Sequence, residues 1–477
     1  MVIFSDGFDR GIAGGKAHSI ELLLPASTQA QAGEAAKMLQ CIVYCSLPPK
    51  RPIRGQRGSP KVSEAVQRFG FDPVLAVLFL AFAIGGAGAL AFLFDRCGGP
   101  FAEAANPSSH KLAALQGLRG VLAFSVVAHH AYCWYFFTQY GVWTTGRSVI
   151  FDRLADFGVA QFFYLSGFLF WRKLMRRGHI PAGRFYLSRF VRIAPVYYVC
   201  VAAAILIGLL GSGFALQVPA TSLLASLLPW LLFSLGGQPQ VNHADIGRIT
   251  CGVTWTLALE WLFYLSLPLL GWFSRKAWRL AIYALAFGCL FVLGRYARTV
   301  GADAAGLHLA GSIMAQYAKF MLIGFGGGIL IAAVETRLRA WAQPLWAWRN
   351  WIVLGLFVGY LTIPGLPGAG QALLLVGFAF IAQGADLFGL LVRRSTRLLG
   401  AISYPVYLVH GMVYYTAMQL RGGMHSVGLA AYAAETALCL AVILLLASAL
   451  HLVVERPTMK RSEEIARAAQ LPQAIMP

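Results

Sequence analysis

The sequence predicts an all-α integral membrane protein with about ten core transmembrane helices and one extra N-terminal apolar span. Three observations carry this expectation. Hydrophobic residues make up 58% of the 477 residues and charged residues only 12%, about half the charged share of a typical soluble chain. Apolar windows recur from residue 73 to residue 454, of the length that crosses ~30 Å of hydrocarbon, which takes roughly 20 helical residues. They are continuously apolar rather than alternating, and this selects helices over barrel strands. Finally, 39 Lys+Arg stand against 19 Asp+Glu, a net charge of +20. The basic residues fall in short loops between apolar windows, as topology signals do, so the charge speaks for a bilayer and not for nucleic acid.

In chain order, residues 1–72 come first and hold no persistent apolar face. They include a basic, Pro- and Gly-containing patch from Lys50 to Lys61, so a poorly structured basic segment is expected. The charge–apolar–small order of a secretory signal is missing. An extra apolar span follows at 73–94 and ends at Asp95-Arg96. Ten core helices are placed at 113–136, 155–171, 193–213, 252–272, 279–296, 313–334, 350–365, 368–386, 401–420 and 427–454. The apolar stretch 222–236 is too short to span and reads as a re-entrant or interfacial helix. Residues 461–477 are expected to form a cytoplasmic tail.

The loops test this order. The segment 172–192 carries Arg172, Lys173, Arg176, Arg177, Arg184, Arg189 and Arg192 with no acid, which places it in the cytoplasm. Counting onward through the ten helices puts Arg275/Lys276/Arg279, Arg337/Arg339/Arg349, Arg393/Arg394/Arg397 and Lys460/Arg461 on the same side. Both ends of the ten-helix core are then cytoplasmic. The span 73–94 conflicts with this, because one more crossing exports the 50–61 patch. Either it is an eleventh span with an exported N-terminus, or residues 1–61 belong to a misassigned start.

Buried ionisable residues are functional candidates in a membrane. Leu115-Gln-Gly-Leu-Arg119-Gly precedes His129-His130, and Arg119 and His130, eleven residues apart, share a helix face ~16 Å apart along the axis. An imidazole in an apolar helix can act as general base for a hydroxyl; the alternative is a histidine that only bonds a neighbouring helix. Glu260 in Thr254-Trp-Thr-Leu-Ala-Leu-Glu260-Trp-Leu-Phe-Tyr264 lies ~12 Å from the outer end of its helix, near the depth of His130. It is expected to orient the imidazole, or else to form a packing ion pair with Lys319 or an arginine. Ser166-Gly167 suits close helix approach, as does Gly324-Phe-Gly-Gly-Gly328. Arg189 and Arg192 share a helix face at the cytoplasmic surface, where two guanidiniums either grip phosphates or anchor at the interface. Ser403-Tyr404-Pro-Val-Tyr407-Leu-Val-His410 places a further histidine inside a membrane helix, and Glu455-Arg456-Pro457 closes the last one. The eight cysteines show no metal spacing, and Cys133, Cys200, Cys289 and Cys439 read as small core residues. No metal site is expected.

Taken together, these motifs resemble the membrane-bound acyltransferase family 3, whose members O-acylate sugars of bacterial envelopes. The resemblance lies in six elements in order: Leu115–His130 with its Arg-x10-His spacing, Phe162–Phe168, Arg189–Tyr197, Trp255–Tyr264, Ile402–His410 and the terminal Glu455-Arg456-Pro457. It covers about residues 111–460. The Arg-x10-His spacing favours His130 over His129. The sequence departs from the family pattern at Gln116, where Asp is frequent, and at Ala160-Gln161, where Asp-Leu is frequent.

The resemblance implies an O-acyltransferase in the bacterial cytoplasmic membrane. Acyl-CoA, acetyl-CoA foremost, would be the donor substrate, and a carbohydrate hydroxyl of an envelope or exported polysaccharide the acceptor. No bound cofactor is implied. His130 would be the base or covalent carrier, Glu260 its orienting partner and Arg119 the donor-positioning residue. Arg189 and Arg192 would bind the donor's phosphates, with Ser166, Tyr264, Tyr404 and His410 contacting substrate or supporting the site. A transporter or flippase for a sugar or lipid-linked glycan is the alternative, weakened by the absence of an inverted repeat. A purely structural scaffold leaves Arg119, His130 and Glu260 unexplained.

Overall fold

The computed structural model describes residues 110–468, with breaks at 147, 179, 274–277, 301–310, 312–313, 367 and 425–427, together with residues 85, 86, 88 and 89. The basic segment 1–72, most of the span 73–94 and the end of the tail lie outside the described residues. Elsewhere the secondary structure is helical, apart from one isolated bridge between Val241 and Ala244.

Three long helices open the described chain: α1 (His110–Tyr140), α2 (Val149–Arg177) and α3 (Ala182–Leu210). A short apolar helix, α4 (Ala220–Leu231), and a single turn, α5 (Ile246–Ile249), lead to α6 (Trp255–Phe273) and α7 (Arg279–Val300). Next come α8 (Met314–Ala333), α9 (Glu335–Ala342), α10 (Arg349–Thr362) and α11 (Ala369–Gln383). The chain closes with α12 (Arg394–Ala401), α13 (Ser403–Leu420), α14 (Leu429–Leu450) and, through a wide π turn at His451–Glu455, α15 (Arg456–Ala468).

A helix stands in each of the ten windows read from the sequence. Among the described residues, six are long and apolar enough to cross a membrane: α1, α2, α3, α7, α8 and the composite Ala430–Ile465. The protein is a multi-pass membrane protein. The four other windows hold α6 with 19 residues, α13 with 18, α11 with 15 and α10 with 14. At 1.5 Å per residue, the shortest of these reach only about 21 Å, less than the hydrocarbon thickness.

Several helices run past their predicted ends. α3 starts at Ala182 rather than 193, because Phe185 and Ser188 are buried on the same face that continues into the apolar run. At the far end, α15 carries residues 461–468 as ordered helix docked on α3, with the Ser188 and Ser462 hydroxyls 2.8 Å apart and both serines buried. The stretch taken as tail therefore begins as part of the bundle. Cys289 also departs from expectation. It is exposed rather than in the core, because α7 is peripheral and protein covers only 11% of its apolar window.

Glycines set the closest helix crossings. A Cβ built on Gly328 of α8 falls 1.9 Å from the Tyr164 carbonyl oxygen of α2, and one on Gly167 falls 2.2 Å from that of Phe325. Only glycine permits this approach, the small-residue packing that associates helices in lipid. Gly120 and Gly400 bring α1 and α12 together in the same way. Large apolar side chains on the outer faces, among them Leu206, Leu210, Leu285, Val292 and Leu445, stay exposed. In a bilayer these contact acyl chains.

Candidate active site

Two groups of polar side chains lie along α1, at Arg119 and at His130. Their spacing of eleven residues separates them by ~16 Å along the helix axis.

The histidine group begins with a division of labour between neighbours. His129 Nδ1 is 2.7 Å from the Phe151 carbonyl of α2, and its Nε2 is 3.5 Å from Cys133 Sγ. A carbonyl only accepts, so Nδ1 carries the proton and Nε2 accepts from the thiol. Both nitrogens of His129 are thereby occupied, Nδ1 in tying α1 to α2 and Nε2 within α1. His130 points elsewhere, with its Nδ1 3.0 Å from His410 Nε2 on α13. The two rings lie 5.0 Å apart between centroids at 27°, and both residues are buried.

The tautomers along this chain follow from backbone acceptors, the Val406 carbonyl beside His410 and the Val126 carbonyl beside His130. His410 Nδ1 is 3.2 Å from the Val406 carbonyl, so Nδ1 is the protonated nitrogen and Nε2 holds a lone pair. That lone pair accepts from His130 Nδ1–H, and the basic lone pair of the pair is left on His130 Nε2.

A turn before α6 completes the group. Cys251 has a left-handed backbone, φ 53°, and its sulfur accepts from the Trp134 indole N–H at 3.2 Å. Gly411, next to His410, lets this turn approach: a Cβ there falls 2.6 Å from the Thr250 carbonyl carbon. Cys251 Sγ and one ring nitrogen of each of His130 and His410 lie within 4.8 Å of one another. That donor set suits a soft divalent ion in type. However, the nitrogens facing each other in the histidine pair already share a proton.

The charged group gathers residues from five elements. Tyr264 donates to Glu260 Oε1 on α6. Arg119 of α1 is within electrostatic reach of Glu260, Tyr264, Glu455 and Arg192, and Arg189 of α3 is within reach of Glu260, Tyr264 and Arg192. The Arg189 guanidinium also lies 5.4 Å from the Phe170 ring centroid, and its Nε is buried without a hydrogen-bond partner. Glu455, in the π turn, is held by His451 Nδ1 at 2.7 Å. Tyr404 of α13 donates to the Ile193 carbonyl at 2.9 Å, tying α13 to α3. Three guanidiniums thus face two carboxylates, each of which already has a neutral or imidazole partner.

These placements sort the residues expected from sequence. His130 and His410 come together; Arg119, Arg189, Arg192, Glu260 and Tyr264 form the second group, with Tyr404 at its edge. The expected pairing of Glu260 with His130 gives way to another arrangement. Glu260 and Tyr264 are one turn apart on α6 and pair on that face, and the arginines within electrostatic reach suit the half-buried carboxylate better than a neutral ring. Lys319 faces Asp156 of α2 instead. Ser166 is half-buried beside the Gly167 crossing and joins neither group through a hydrogen bond among the described residues. Gln116 and Gln161 donate to the Arg397 and Leu374 carbonyls, at 3.3 and 3.2 Å, as helix-to-helix ties.

Sequence reasoning missed Cys251, the pairing of the two histidines and the acidic pair Asp152/Asp156. His451 and Glu455, four apart, carried a readable helical spacing. The others depend on contacts between distant segments.

The family described as an acyltransferase domain, acyltransferase 3, matches residues 112–452. The exopolysaccharide production protein ExoZ of Rhizobium meliloti is 27% identical over 311 residues, 64% of this chain and 89% of that protein. The acyltransferase MdmB of Streptomyces mycarofaciens is 30% identical over 383 residues, 74% of this chain and 93% of that protein. Nodulation protein 10 of Rhizobium leguminosarum is 26% identical over 334 residues, covering 64% and 83%. No solved structure matches. The chain belongs to the acyltransferase 3 family and is an acyltransferase of the membrane.

Proposed function

We propose that this enzyme moves an acyl group, acetyl foremost, from cytoplasmic acyl-CoA to a hydroxyl of an envelope or exported polysaccharide. The observation that carries this reading is the buried His130, whose Nε2 is the one lone pair left basic by the His130–His410 hydrogen bond. ExoZ, by its name, serves exopolysaccharide production, which supports a polysaccharide acceptor. The membrane is the bacterial cytoplasmic membrane. The domain at 111–460 crosses it with ten helices, both ends of that core in the cytoplasm, a reading the one-sided basic loops support.

The acceptor oxygen attacks the thioester carbonyl carbon while its proton passes to His130 Nε2. The carbon–sulfur bond breaks, and the leaving thiolate takes the proton from the imidazolium. Products are the sugar ester and free CoA thiol, with His130 neutral again. Arg119, Arg189 and Arg192 hold the phosphates and orient the thioester from the cytoplasmic end. Glu260 and Tyr264 hold those guanidiniums in place.

Membranes containing the wild-type chain or His130→Ala, supplied with radiolabelled acetyl-CoA, test this. Label enters envelope polysaccharide with the wild type and stays at background with His130→Ala in equally inserted protein. Full transfer by His130→Ala would remove the base from the mechanism.

A further inference from the structure

We propose that His410 is the positioning residue of the active-site base, fixing which nitrogen of His130 meets the acceptor hydroxyl and steadying the imidazolium that forms. The inference rests on the reading of His130 as base. His410 is fully buried. Both of its ring nitrogens are engaged, Nδ1 with the Val406 carbonyl at 3.2 Å and Nε2 with His130 Nδ1 at 3.0 Å. With no lone pair or proton left over, His410 cannot touch substrate and acts through His130 alone.

The effect has two parts. A neutral imidazole carries its proton on either nitrogen, and only the Nδ1–H form presents a basic Nε2. The Val406 carbonyl sets the His410 tautomer and leaves a lone pair on His410 Nε2 for His130 Nδ1–H, while the Val126 carbonyl of α1 is a second acceptor beside the His130 ring. When Nε2 takes the hydroxyl proton, the positive ring still has an acceptor for Nδ1–H, as a base held by a third group requires. Among the described residues, no carboxylate occupies this place. The orienting group is a neutral ring, which holds the imidazolium without pinning the charge there before reaction.

Geometry makes the pairing specific. His410 approaches because Gly411 lets the Thr250–Cys251 turn pack against α13 without a Cβ, and Tyr407, one turn back, is anchored by its hydroxyl 3.2 Å from Thr256 Oγ1. The ring therefore has little freedom to turn from His130.

The test compares wild type, His410→Gln, His410→Phe and His130→Ala in detergent-solubilised protein, with steady-state acetyl transfer and the melting temperature of each. Gln can place its amide oxygen where Nε2 stood and accept from His130; Phe fills the volume and accepts nothing. We expect His410→Phe to lower kcat on the order of a hundredfold with KM for acetyl-CoA and acceptor nearly unchanged. His410→Gln should recover a substantial part of that loss. An unchanged kcat per folded molecule in His410→Phe, alongside an inactive His130→Ala, would overturn the positioning role and leave the base assignment standing. Equal losses in Gln and Phe with equally lowered melting temperatures would reduce His410 to a packing residue. An active His130→Ala would bring down the base assignment itself.

Discussion

His129 and His130 are adjacent, equally buried and chemically identical, yet their surroundings give them different work. The carbonyl of Phe151 and the thiol of Cys133 use up His129, while His130 keeps one free nitrogen. The same reasoning separates the arginines. Arg172 is paired with Glu335 at 3.1 Å, whereas Arg189, bonded to Ser188 Oγ at 3.2 Å and to Tyr264, keeps a buried Nε without a partner among the described residues, near a Glu260 already bonded to Tyr264. A guanidinium in that position has donors to spare for phosphate, and its fork geometry matters more than its charge. Arg189→Lys should therefore raise KM for acetyl-CoA about tenfold, the loss of one charge-assisted hydrogen bond, with a smaller change in kcat. Initial rates over a range of donor concentrations decide this; an unchanged KM would move the donor's phosphates elsewhere.

At the scale of elements, the site depends on where α13 and the turn before α6 meet. That turn contains two residues with left-handed backbones, Cys251 and Gly252. It is closed by Gln238, whose side-chain amide donates to the Gly252 carbonyl at 2.8 Å and to Thr254 Oγ1 at 2.5 Å. It packs on Gly411, where a methyl group would sit 2.6–2.8 Å from three backbone atoms that have no room to move. Gly411→Ala is expected to cost about 1–3 kcal/mol by overpacking, and to lower activity by displacing His410. Gly355→Ala in α10 is the control, since a Cβ there meets nothing within 4 Å. It should be neutral or stabilise by about 0.5–1 kcal/mol through helix propensity. Thermal melts of the two solubilised variants would separate these outcomes, and equal melting temperatures would contradict the account of the crossing.

Across the whole molecule, the helix positions were legible in the sequence because lipid demands long uninterrupted apolar runs, and such runs are visible without any partner. The charged group was also largely legible: Arg189 and Arg192 share a face, and so do Glu260 and Tyr264, by helical spacing alone. The histidine pair was not. His130 and His410 are separated by 280 positions, and nothing local shows that α1 and α13 touch at that depth. Glu260 was drawn toward His130 by similar depth, but depth fixes height in the bilayer and not direction around the helix. The extent of α3 and the docking of α15 were missed for a related reason, since their buried faces are amphipathic and lie beyond the apolar windows.

The same whole-molecule view sets the two groups at different heights in the membrane, with the arginines toward the basic 172–192 loop and His130 farther from it. Under the proposed function, the acyl group passes between them, with the donor entering from the arginine side and the acceptor from the other. Sealed vesicles of both orientations measure this directly, with radiolabelled acetyl-CoA added outside and polysaccharide acceptor available on both faces. The account predicts label in the sugar when the outside face is the cytoplasmic one, and none when it is the opposite face. Equal labelling in both orientations, or labelling only from the opposite face, would contradict it.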